Sequence, residues 1–75
     1  MPAPTSHAPV PSLRYWRIKR LMTQRQLAEK AGVATSTVAH GEQAYPLSLL
    51  TAAKLAEALG VSVQALRNAE PKAEE

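Results

Sequence analysis

The chain has no cysteine, no aspartate and no phenylalanine, and only three glycines among its 75 residues. Without cysteine there can be neither a disulfide framework nor a thiolate metal site. The glycines are isolated, so no glycine-rich loop can cradle phosphate. No acid is spaced to orient His40 as a general base. Glu42 lies two residues on, about 200° around a helix, which makes the two neither a catalytic dyad nor a metal pair. His7 has no metal partner at a recognised spacing and is expected to be solvated. No apolar run approaches the roughly 20 residues of a membrane span. The first eleven residues lack the basic start and apolar centre of a signal peptide. These absences argue against an enzyme, a metal or cofactor site and a membrane protein, and predict a cytoplasmic location.

What is present favours helices. Hydrophobic residues make up 45% of the chain but aromatics only 4%, and much of the apolar content is alanine and leucine. Such residues form closely packed helices more readily than sheet. At this length there is room for one core, which must rest on helix packing, capping and possible dimerisation. The net charge of +3 is unevenly spread. Between Arg14 and Lys54, seven basic residues face only Glu29 and Glu42, a balance of +5. From Arg67 onward two basic residues face three acids, a balance of −1. A basic body suits phosphate binding, although ordinary surface use of lysine and arginine would leave the same count.

Residues 1–11 carry four of the six prolines and no periodic apolar pattern, which predicts a flexible arm. A hydrophobic staple, two apolar residues five apart across an N-cap, then recurs along the chain. Met22 and Leu27 flank Thr23, Leu47 and Ala52 flank Ser48, Val61 and Leu66 flank Ser62, and Pro11 and Trp16 flank Ser12. Val33 and Val38 continue the series and put an N-cap at Ala34, the one cap without a side-chain oxygen. The expected fold is all-α: five helices, the first near 13–21, the second and third within about 23–42, the fourth near 49–59 and the fifth near 63–69, with no strands. Its core is expected at Leu13, Trp16, Leu27, Ala31, Val38, Leu55, Leu59 and Leu66. The ordered domain should span 12–69, followed by a short charged tail at 70–75.

The stretch from Thr23 to Glu42 organises the rest. Thr23 and Gln26 form a capping box, and Gly32 supplies the left-handed residue that ends the helix between. The next helix presents Thr35, Ser36, Ala39, His40 and Gln43 within about 140° of arc, with Thr37, Val38 and Gly41 opposite. Two helices so joined, the second offering small polar side chains, have the geometry of a helix-turn-helix at about 23–42. In that geometry Thr35, Ser36 and His40 can meet base edges in the major groove, and Ala39 a thymine methyl. Hydroxyls are also common in the first turn of helices that touch no nucleic acid.

Leu13, Arg17, Thr23-Gln24, Leu27-Ala28, Ala31-Gly32-Val33, Val38, Glu42, Ser48, Leu55-Ala56 and Leu59-Gly60-Val61 together resemble the Cro and phage-repressor family, the xenobiotic-response-element type of helix-turn-helix. The resemblance covers roughly residues 13–66 and implies a compact five-helix DNA-binding domain. It further implies that Gln24, with Arg25 beside it, meets backbone phosphate at the start of the second helix, and that Gln43, Tyr45 and Ser48 do so from the following loop. Tyr45 could equally pack the loop. Arg17 and Glu42 match an ion pair that ties the first helix to the third. Four features depart from the family pattern. Leu21 and Ala44 stand where glycine is frequent, Gly41 where a bulky aliphatic is usual, and the loop from Glu42 to Ser48 is one residue shorter. A glycine at 41 would also allow the third helix to end about a turn early.

The leading expectation is a sequence-specific regulator, most simply a repressor, that binds double-stranded DNA as a homodimer on a palindromic operator. The alternative is an antitoxin-like or anti-regulator module that holds another protein chain. Tyr15, Ile18 and Met22, a partly apolar stripe on the first helix, would serve that role, or they are merely half-exposed.

Overall fold

A computed structural model describes residues 7–68. Five helices run α1 Leu13–Lys19, α2 Gln24–Ala31, α3 Thr35–Glu42, α4 Leu49–Leu59 and α5 Val63–Arg67. Two short strands, β1 His7–Ala8 and β2 Leu47–Ser48, complete the order. The buried core contains Leu13, Trp16, Leu27, Ala28, Val38, Leu55, Leu59 and Leu66, drawn from all five helices. Ala31 is only partly buried and packs at the core's edge. Among the described residues no helix is long and apolar enough to cross a membrane.

Four helix ends are built alike. At each, one residue takes a left-handed conformation and the next donates its N–H back five residues: Met22 to Arg17, Val33 to Ala28, Tyr45 to His40 and Val61 to Ala56. This is the Schellman closure, which satisfies carbonyls the helix leaves unpaired. Gly32 and Gly60 hold the left-handed position at two of the ends. Leu21 (φ 59°) and Ala44 (φ 71°) hold it at the other two. The two departures from glycine thus keep the turn and accept its backbone strain.

The starts also follow the staple register, though not every cap residue makes a side-chain bond. Thr23 accepts from the Gln26 amide while the Gln26 side chain accepts from the Thr23 amide, closing the capping box. Ser48 and Ser62 accept from Thr51 and Ala65. Ala34 occupies the N-cap of α3 in extended conformation with no side-chain bond. Ser12 makes no cap bond. It is buried, and its hydroxyl donates to the Asn68 carbonyl while its amide donates to Leu66. Its side chain thus joins α1 to α5 rather than capping α1.

The expectation of no strands is corrected by β1 and β2, which pair antiparallel with His7 opposite Ser48 and Ala8 opposite Leu47. The expected arm therefore divides: residues 7–11 lie on the body, while 1–6 lie outside the described residues, as does the tail at 70–75. The reason is a hole in α3. Gly41 is buried, and a Cβ there would come within 2.8 Å of Leu13 Cδ2, 2.9 Å of Leu47 Cδ1 and 3.3 Å of Val10 Cγ2. Val10, fully buried, fills the volume that a bulky residue at 41 would otherwise take. Pro9 and Pro11 restrict the residues before them to extended backbone, and the extended strap meets the edge of the loop as β1. Apolar volume moved from helix to arm, and the arm was ordered by it.

Candidate nucleic-acid interface

The face presented by α3 follows its helical period. Val38 and Gly41 turn into the core, while Thr35, Ser36, His40 and Gln43 are exposed and Ala39 is half-buried. The helix runs through Gly41 to Glu42 and does not stop early. With Ala34 as N-cap, Thr35 and Ser36 occupy the first turn, where a helix entering a groove end-on makes its base contacts. His40 lies one turn further on. Its ring meets Tyr45 edge-to-face, with centroids 5.6 Å apart. Tyr45 is exposed, so the edge-to-face contact leaves the tyrosine at the surface. A shallow recess lined by His40, Gln43, Tyr45, Pro46 and Leu47 joins the end of α3 to the loop. Ser48 closes this surface; its hydroxyl bonds the Thr51 amide and hydroxyl.

Behind this surface stands a polar knot. Arg17 bonds Glu42 through Nε and, at 3.1 Å, through Nη2, and its Nη1 donates to the Met22 carbonyl at 2.8 Å. The side chains are 13% and 5% exposed. A bidentate pair this shielded is stronger than an open surface pair, because water competes less for either partner. It holds the end of α3 against α1 and the turn before α2. Arg17 and Glu42, the residues that match the family's ion pair, are bonded to each other here.

Gln24 belongs to the same knot, which sequence reasoning missed. Its Nε2 donates to Glu42 Oε1 at 3.1 Å, and the residue is half-buried. Its position at the first turn of α2 is as expected, but its side-chain amide is engaged inward. A phosphate contact from Gln24 would use its backbone amide at the helix start, or require the side chain to exchange Glu42 for phosphate. No sequence spacing signals that link, since the two residues meet only through the packing of α2 on α3. Arg25 is different: it is exposed and pairs with Glu29 at 3.3 Å across one helical turn. Such a pair is worth little in water, so the guanidinium can turn to a phosphate at small cost.

Not all the basic charge is free for an anionic partner. Arg20 donates to the Leu59 carbonyl at 2.9 Å, at the end of α4, and lies over the Trp16 ring at 5.3 Å. The expected stripe on α1 is divided. Tyr15 and Met22 pack partly against the core, and Ile18 stays exposed. A groove beside it is lined by Pro11, Arg14, Tyr15, Ile18, Lys19 and Glu42.

Comparison with known proteins agrees with this geometry. The family model described as helix-turn-helix matches residues 13–66. The structure resembles that of SinR, the master regulator for biofilm formation, solved in complex with DNA: TM-score 0.72, 30% identity, over 77% of this chain and 95% of that one. It also resembles NHTF, a hypothetical transcription factor from Neisseria, with TM-score 0.70 and 28% identity over 76% of this chain and 67% of that one. No curated protein matches.

Proposed function

The chain belongs to the helix-turn-helix family and, with it, to the DNA-binding transcriptional regulators rather than to enzymes; on that premise we propose that it is a sequence-specific repressor reading the major groove with α3. The observation that carries the reading is the exposure of Thr35, Ser36 and His40 along one side of a helix whose opposite side is locked into the core. Base contacts fall to Thr35, Ser36, Ala39 and His40. Backbone contacts fall to Arg25, the amide end of α2 at Gln24, and Gln43, Tyr45 and Ser48 around the loop. The Arg17–Glu42 pair keeps the two sets in fixed register. A domain this small gains affinity and selectivity by binding as a dimer, with half-sites about 10 base pairs apart.

Selection of bound sequences from a random duplex library tests target and symmetry together. A palindrome with that spacing is expected. Ser36→Ala and His40→Ala should each relax preference at particular positions, by about 1–3 kcal/mol for a good contact. Arg25→Ala should weaken all sequences alike and reduce the salt dependence by about one phosphate's worth. If the Ser36 and His40 variants retain the parent's full preference, α3 is not the reading head. The groove along Pro11, Tyr15 and Ile18 would then favour a module that holds another protein.

A further inference from the structure

The strap formed by residues 7–11 lies outside the stretch that matches the helix-turn-helix family, and it carries an exposed histidine to the edge of the proposed interface. We propose that His7 is a further DNA-contact residue, touching the sugar-phosphate backbone beside the contacts of the 43–48 loop. The inference rests on the DNA-binding reading above. Its own support is the register of the strap.

In the antiparallel pair, Ala8 faces Leu47 and both are buried, whereas His7 faces Ser48 and is exposed. Side chains directly opposite in such a ladder leave the sheet on the same side, about 4.5–5.5 Å apart at Cβ. The imidazole therefore stands on the outward side shared with Ser48. Paired β-strands lie about 4.8 Å apart, and phosphates form a continuous row along each DNA strand. A residue one strand-spacing beyond a phosphate-contacting loop can accordingly reach a neighbouring phosphate. Its placement is held firmly: Val10 is fully buried between Leu13, Leu47 and Gly41, and the Leu13 amide donates to the Val10 carbonyl at 3.0 Å. The residue that fills the gap in α3 also anchors the chain that bears the histidine.

The test compares the full chain with its His7→Ala and His7→Lys variants, measuring affinity for a random-sequence duplex from about 50 to 200 mM salt. One ionic phosphate contact contributes a slope of about 0.9 in log affinity against log salt, or roughly 3.5-fold over that range. If position 7 faces the backbone, the lysine variant should lose about 3.5-fold more affinity across the range than the alanine variant, and should bind more tightly at the low-salt end. Thermal midpoints of both variants should equal the parent's, since the side chain is exposed. Coincident salt slopes for the two variants, with the parent still binding duplex, would overturn the contact and leave the regulator reading intact. A loss of affinity equal in both variants would likewise overturn it, because the strap would then act through packing alone. A parent chain indifferent to duplex would fail the DNA-binding reading itself, and this inference with it.

Discussion

Replacing Gly41 by alanine tests whether the strap completes the core. The added methyl would lie 2.8 Å from Leu13 Cδ2, 2.9 Å from Leu47 Cδ1 and 3.3 Å from Val10 Cγ2, against about 3.5–4.0 Å for comfortable carbon contacts. The overlapping atoms are side-chain ends, but all three residues are buried and cannot withdraw into solvent. Overpacking of this kind costs about 1–3 kcal/mol. Alanine in a helix interior regains about 1 kcal/mol over glycine. The net effect in the parent is then a loss of about 0–2 kcal/mol. Val10→Ala alone should remove about 1.6 kcal/mol of transfer free energy, at about 0.8 kcal/mol for each of two methyl groups, with a cavity contribution besides. In that background the leucine ends have room to retreat, so Gly41→Ala should turn neutral or stabilising. Urea unfolding of the four proteins gives the cycle, provided the denaturant slope is unchanged. The expected coupling is about 0.5–3 kcal/mol. Additive changes would refute the idea that residues 10 and 41 share one volume.

The knot at Arg17 predicts a second cycle. Arg17→Met and Glu42→Gln should couple by about 0.5–3 kcal/mol in unfolding free energy, and additive losses would make them independent surface charges. At the start of α3, Ala34→Ser should raise stability by about 0.5–2 kcal/mol by supplying the missing cap oxygen; an unmoved unfolding midpoint would show that residue 34 does not cap α3. At the end of α1, Leu21 is 90% exposed and has left-handed backbone, so Leu21→Gly should relieve strain and bury nothing less. A gain of up to about 1 kcal/mol is expected, measured by the same denaturation, and a loss would mean the leucine side chain stabilises the turn.

The sequence alone determined the elements that depend on neighbours within a turn or two. Capping oxygens at Thr23, Ser48 and Ser62, glycines at 32 and 60, and the staples between them are local devices. They placed α2, α3 and α4 in the register observed, and with them the outward face of α3. The Arg17–Glu42 pair was legible only through the family resemblance, because 25 residues separate its members. Residues 7–11 read as a flexible arm in the sequence, yet lie on the body, for a related reason. Their prolines and lack of period describe the segment by itself accurately, and nothing local indicates that Val10 has a hole to enter. Gly41 stands where a bulky aliphatic is usual, but which part of the chain fills that volume depends on how α1, α3 and the loop pack. The engagement of Gln24 with Glu42 and the diversion of Ser12 to Asn68 have the same origin. Whether a polar group caps its own helix or bonds another element depends on which partner is nearer in space, and tertiary packing alone sets that distance.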